Sequence, residues 1–326
     1  MKRLPSLIVA MLALAIGWFA LQQGHNGGWQ RFSIPGLFGG GATQAPPPRG
    51  NNTIRIATFN IQVFGESKLN DHEAMQTIGA ILRNFDLVAI QEVRSVAQDI
   101  MPHLIEMLNA DGHQYDYAIG PRLGRTPSKE QYAFVFDTQT IEIDRYQLYT
   151  VDDPDDLLHR EPLVGWFRAR GPAPEQAFTF SLATIHTDPD ETNQELDVLD
   201  DVFFKVRDDR RRGEDDVILL GDFNAKAMNL RQLGQVKGLV KVVSGETPTN
   251  TLHNAQYDNI LFDHKATSEF TGRGGVFDFL RQYNLTLDQA KHVSDHMPVW
   301  AEFSVFEGGA GAPLAARPGG AVFQAR

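Results

Sequence analysis

Gly221-Asp222-Phe223-Asn224 follows the apolar run Val217-Ile218-Leu219-Leu220. An acid and an amide therefore emerge together where a buried strand would end, which is where open α/β folds keep their chemistry. Two residues apart in extended chain, their side chains leave on the same side. Asp offers a hard anionic oxygen, and Asn offers both a donor and an acceptor. Such a pair suits a Mg2+-bound phosphate oxygen. The same four residues also read as a plain turn, so the rest of the chain has to decide.

Other strand ends carry residues of the same kind. Asn60 follows Thr58-Phe59, and Gln91-Glu92-Val93 follows Leu87-Val88-Ala89-Ile90. His186 follows Leu182-Ala183-Thr184-Ile185. Asp258-Asn259 precedes Ile260-Leu261, and Ser294-Asp295-His296 precedes Pro298-Val299-Trp300. One polar group at a strand end is ordinary. Carboxylate, amide and imidazole recurring at strand after strand go beyond loop polarity. A neutral imidazole near pH 7 can give or take a proton. Mg2+ favours few carboxylates and several waters.

These groups must be positioned by a continuous region at 53–306 that alternates short apolar runs with helical stretches. Strands are predicted at Ile54–Phe59, Leu87–Ile90, Ala133–Phe136, Phe178–Ala183, Val217–Leu220, Asn259–Phe262 and Val299–Phe303. The spacing of Met75, Ile78, Ile81 and Leu82 predicts a helix over His72–Arg83. Further helices are expected over Asp99–Leu108 and, in one piece, Glu195–Arg212, where the run Arg210-Arg211-Arg212 suits a solvated helix C-terminus. Many strands with few helices suggest an α/β (α+β) fold of two packed sheets flanked by helices; periodicity does not settle the topology.

The net charge of -11 leaves no global basic surface for nucleic acid, so an anionic substrate would need a local site of metal and arginine. The absence of cysteine excludes disulfides, thiolate nucleophiles and Cys-zinc sites. Lys2 and Arg3 precede an uncharged apolar run from Leu7 to Leu21, the pattern of an export signal. The run is short for a membrane span, which needs about 20 residues. No small-x-small cleavage site follows it directly, so residues 1–22 read as a signal peptide or an N-terminal membrane anchor. Residues 23–52 have Gly/Pro-rich linker composition, and 307–326 read as a flexible tail.

The landmarks Thr58-Phe59-Asn60-Ile61, Gln91-Glu92-Val93-Arg94, Lys129-Glu130-Gln131-Tyr132, Arg160-Glu161-Pro162, Ile185-His186, Gly221-Asp222-Phe223-Asn224, Tyr257-Asp258 and Ser294-Asp295-His296 cover nearly all of 53–306. In that order the chain resembles the endonuclease/exonuclease/phosphatase superfamily, and within it the deoxyribonuclease I branch. The resemblance implies a four-layer α/β-sandwich of two mainly antiparallel sheets. It also implies Mg2+-assisted phosphodiester hydrolysis, with Mn2+ able to substitute. Glu92 is then the main metal ligand, helped by Asp295 and Asn60. His186 and His296 are the acid and base, oriented by Glu130 and Asp258, while Asp222 and Asn224 hold the phosphate, its metal or the attacking water. Arg94 and Arg160 approach the DNA minor groove.

The chain departs from that branch in places. Ser128 stands near the position of a DNA-stacking tyrosine, and the family disulfides are absent. Thr247, Thr249 and Thr251 resemble part of a structural Ca2+ loop, but Glu246 is the only acid nearby and the alternation also fits a strand. The expected reading is an exported, largely sequence-nonspecific DNA endonuclease, a monomer with a membrane tether as an option. The alternatives are the same chemistry on a lipid or small phosphodiester, and a non-catalytic surface protein on this fold.

Overall fold

The computed structural model of the chain describes Gly50, residues 52–209 and residues 212–309. The expected export segment, nearly all of the linker, Arg210-Arg211 and the tail beyond 309 lie outside the described residues. In chain order the strands are β1 (Thr53–Phe64), β2 (Leu87–Val93), β3 (Tyr115–Ile119), β4 (Gln131–Asp137), β5 (Ile141–Thr150), β6 (Leu163–Ala169), β7 (Thr179–His186), β8 (Val217–Asp222), β9 (Leu239–Lys241), β10 (Asp258–Asp263), β11 (Phe270–Val276) and β12 (Val299–Ser304). The helices are α1 (Glu66–Leu69), α2 (His72–Leu82), α3 (Ile100–Asn109), α4 (Thr192–Leu196), α5 (Leu199–Arg207), α6 (Phe279–Tyr283) and α7 (Leu287–Val293).

Two mixed six-stranded sheets result, ordered β11-β12-β1-β2-β4-β3 and β5-β6-β7-β8-β10-β9. Each is mainly antiparallel with one parallel pair at its centre, β1 with β2 and β7 with β8. A parallel neighbour needs a crossover; α1 and α2 supply it in the first sheet, α4 and α5 in the second. The central strands β2, β4, β8 and β12 are buried at every residue. One face of each packs on the opposite sheet and the other lies under helices, which is why their apolar runs are continuous rather than alternating. This is the expected four-layer sandwich.

Between the sheets lies an aromatic core in which Phe178 stacks on Phe180 at 4.7 Å and Phe134 meets Phe167 edge-on at 5.2 Å. A second cluster forms where Leu196, Leu199, Phe203 and Val206 cover Leu219 and Leu261. The sheets are also tied by polar contacts. Gln91 Nε2 on β2 donates to Thr184 Oγ1 on β7 at 2.8 Å and to Thr58 Oγ1 on β1 at 3.0 Å. A buried amide satisfied this way specifies register between layers as well as stability.

Two expected elements differ. The single helix over Glu195–Arg212 is two, because the chain tightens at Asp197 and Val198, whose N–H groups bond to Gln194 and Glu195. That turn buries Leu196 and Leu199 together. The Thr247–Thr251 segment forms no strand; only Asn250 makes an isolated bridge, to His296.

Candidate active site

Three adjacent strands set the line of the site. In the β7–β8 register His186 faces Asp222, and in the β8–β10 register Asp222 faces Asp258. Asn60 comes from β1 of the other sheet and donates through Nδ2 to Asp222 Oδ2 at 3.0 Å and to Glu92 Oε1 at 3.2 Å. The site therefore closes only where the two sheets meet at one end of the sandwich.

Gly221 permits that registry. Its φ is +146°, and a Cβ there would lie 2.0 Å from the Ile185 carbonyl oxygen. Only glycine accepts both the close approach and that backbone. Downstream, Asn224 turns the chain at φ +47°, its N–H bonding to Asp222 Oδ1 and its Nδ2 to the Thr187 carbonyl. Glu92 also has a left-handed φ, +62°. Non-glycine residues hold that conformation only where the surroundings enforce it.

Two histidines face one aspartate. His186 Nε2 and His296 Nε2 each lie 3.6 Å from Asp222 Oδ2. Behind them, His186 Nδ1 meets Glu130 Oε1 at 2.7 Å and His296 Nδ1 meets Asp258 Oδ2 at 2.9 Å. A carboxylate on Nδ1 fixes the tautomer that leaves Nε2 at the working face. Thr249 Oγ1, in the segment that resembles part of a Ca2+ loop, donates to Asp258 Oδ2 at 2.7 Å and braces this acid. Thr251 turns to the Asp295 carbonyl.

Charge follows from these neighbours. Burial disfavours charge on His186, but Glu130 and then Asp222 outweigh it and raise its pKa. Burial likewise works against His296, yet Asp258 and Asp222 lift it to about 10. Asp222 is held below the usual carboxylate range, because the two imidazoles and the donors from Asn224 and Asn60 overcome its burial. Burial and the nearby Asp222 push Asp258 up, while its imidazole partner pulls it down. The proton between them therefore belongs to the pair.

Glu92 Oε2 accepts from Val63 N–H at 2.9 Å and pairs with Arg94 at 3.0 Å. Arg94 also reaches Glu130 at 3.5 Å and keeps part of its guanidinium open to solvent. Arg160 differs: its side chain is 5% exposed, with Nε donating to the His186 carbonyl at 3.1 Å and lying 3.4 Å from Glu130 Oε1. Its guanidinium is thus enclosed beside Glu130, whereas that of Arg94 is partly open.

The donor set fits a divalent cation. Asn60 Oδ1, Asp258 Oδ1 and Asp295 Oδ1 are buried acceptors with no hydrogen-bond partner among the described residues. Ligand atoms of Asp222, Asp258 and His296 lie within 4.8 Å of one another. Hard oxygens left unsatisfied in a cleft are what Mg2+ and its waters require.

Several supporting residues escape a reading by strand ends. Gln62 donates through Nε2 to Asp295 Oδ2 at 3.0 Å; its position two after Asn60, on the same face of β1, was a usable signal. Tyr132 Oη accepts the His186 N–H at 2.9 Å. Lys68 Nζ donates to the carbonyls of His292 and Val293, the end of α7 that leads into Ser294-Asp295-His296. Nothing local in the sequence marks Lys68 for that role.

Two carboxylate-braced imidazoles thus surround a buried aspartate where the two sheets meet. The chain belongs to the Endonuclease/Exonuclease/phosphatase family, whose model matches residues 57–296. It is 34% identical over 263 residues to deoxyribonuclease gamma of Rattus norvegicus, covering 76% of this chain and 83% of that protein. It is 32% identical over 280 residues to deoxyribonuclease-1-like 2 of Homo sapiens, covering 77% and 92%. Among solved structures, truncated Caenorhabditis elegans TDP2 matches with a TM-score of 0.54 at 15% identity, over 77% of this chain and 97% of that one, a likeness of fold. The resemblance seen in the sequence is borne out, and the chain falls in the nuclease and phosphodiesterase class.

Proposed function

We propose that the chain is an exported, divalent-cation-dependent endonuclease that cuts DNA with little sequence preference. The carrying observation is the pair of Nε2 atoms, each 3.6 Å from one Asp222 oxygen. Hydrolysis needs one proton removed from water and one delivered to the leaving oxygen, and two opposed imidazoles can do both. As the water oxygen bonds to phosphorus, one ring takes its proton. As the opposite P–O bond breaks, the other ring protonates the departing oxygen.

Asp222 and Asn224 orient the water and the phosphate between the rings. Glu130 and Asp258 hold the rings. Glu92, Asp295 and Asn60 are the residues to hold Mg2+ (or Mn2+), which when bound would neutralise charge on the phosphate oxygens and lower the pKa values of the nearby imidazoles. Arg94, part-exposed beside Glu92, is placed to meet a neighbouring phosphate, and buried Arg160 positions Glu130. The names of the relatives support DNA as substrate. The basic-then-apolar segment at residues 1–22 supports export.

Plasmid nicking tests the proposal. Wild type should nick in Mg2+ and stop in EDTA, and His296→Ala should lose activity by about 10²–10⁴-fold. A panel of duplex DNA, single strands, RNA, sphingomyelin and inositol phosphates should show preference for duplex DNA. Metal-independent nicking, or a lipid ahead of DNA, defeats the reading.

A further inference from the structure

Arg125 stands in a short loop between β3 and β4, closed at its base by the paired backbones of Leu123 and Glu130 at 2.8 and 3.0 Å. From there it reaches two other loops. Its Nε donates to Asp156 Oδ1 at 3.1 Å, and its Nη2 donates to the carbonyls of Asp156 and Leu158, the latter at 3.0 Å. Its Nη1 donates to Glu191 Oε2. One guanidinium fork is thus spent on acceptors from two segments other than its own. His159 Nδ1 adds a link between those two, 3.4 Å from the same Glu191 oxygen.

Each of the three segments leads to one member of a buried unit. The loop that carries Arg125 ends at Glu130, which is fully buried. The segment through Asp156 and Leu158 runs on to Arg160. The segment that holds Glu191 starts from His186. In that unit Glu130 Oε1 meets His186 Nδ1 at 2.7 Å, and Arg160 Nε lies 3.4 Å from Glu130 Oε1 and donates to the His186 carbonyl at 3.1 Å. Its geometry therefore depends on three loops keeping their places relative to one another. His296 and Asp258 lie on other segments, where Thr249 braces the acid.

We propose that Arg125 is a positioning residue that pins the three loops behind His186 and so sets how that imidazole meets Asp222, an inference that rests on the active site proposed above. An exposed arginine–carboxylate pair contributes little to stability, and the Arg125 side chain is 31% exposed. A rigid fork that also caps carbonyls contributes geometry instead. Geometry is what proton transfer needs, since a displacement of about 1 Å can cost on the order of 10²-fold in rate. The chain has no cysteine with which to tie such loops covalently, so noncovalent pins hold them.

The test uses the full chain, plasmid nicking in Mg2+ and the NMR ring resonances of His186 and His296. Arg125→Ala should lower kcat about 10-fold and leave KM within about twofold. Its Tm should fall by no more than about 3 °C, as for the loss of an exposed pair. The His186 Nδ1 resonance should move and that of His296 should stay put. A wild-type kcat in Arg125→Ala, or unmoved His186 resonances, overturns the proposal. Should Arg125→Ala fail to fold, the double variant Asp156→Ala/Glu191→Gln decides by the same two measurements. If the wild type nicks no DNA, the functional reading fails, and the His186 resonances still decide this one.

Discussion

Asp222 and Asp216 terminate the same strand, and both are sealed from solvent, at 1% and 0% exposure. Their surroundings differ. Asp222 is met by two imidazoles, an asparagine amide and a backbone N–H, so its carboxylate is favoured despite burial. Asp216 is met by other acids, and its pKa rises to about 9. Residue type, strand and burial are matched, so the neighbours alone set the charge. At one end of β8 the neighbours favour the charged carboxylate. At the other they favour the protonated one.

Breaking the catalytic end should have the largest effect. Asp222→Asn should cut nicking about 10³-fold while leaving far-UV circular dichroism unchanged, since preorganised charge at a reacting centre is worth that much. The double variant His186→Ala/His296→Ala should lose far less than the product of the two single losses, because the rings act as a unit. Initial-rate assays on plasmid would show both.

Gly221→Ala comes next and acts on the shared strand itself. The added Cβ meets the Ile185 carbonyl at 2.0 Å in a left-handed backbone. A loss of about 3 kcal/mol is expected by urea denaturation, in the range for enforced backbone strain with a clash.

The pH dependence separates the two ends most directly. Between the ordinary carboxylate pKa and about 9, native Asp216 keeps a proton that the unfolded chain has released. Stability should therefore fall as pH rises through that window. Asp222 has the opposite sign: its depressed pKa contributes stability above the unfolded value, lost as pH falls through the folded one. His296 adds stability below its unfolded pKa that is lost as pH rises toward about 10. Urea midpoints followed against pH, wild type against Asp216→Asn, should isolate the first slope.

The smallest effect concerns a brace. Glu130→Gln should lower the His186 pKa, since Glu130 supplies the largest force raising it against burial. Histidine ring resonances followed by NMR against pH would shift for His186 and stay put for His296.

Much of the catalytic end was legible in the chain. Asp222, Asn224, His186 and His296 flank long apolar runs, and a strand end declares itself locally through period and composition. Glu130 and Asp258 were paired with their histidines through the family resemblance alone, and the geometry agrees at 2.7 and 2.9 Å. The burial of Arg160 beside Glu130 could not be read, because a guanidinium looks the same in sequence whether it is open or enclosed. The break between α4 and α5 was hidden by an apolar pattern that continues across it.

By itself the sequence determined many strands with few helices and a set of polar groups at strand ends, since periodicity and short motifs are properties of neighbouring residues, while the sandwich and the class of chemistry were legible through the family resemblance those motifs carry. Only the tertiary structure decided which acid stands against which base. Asp216, Glu269 and Glu307 read as three ordinary charges scattered through an acidic chain until two sheets bring them within 4.8 Å. Electrostatic energy depends on separation in space and on excluded water, and neither is a property of position along the chain.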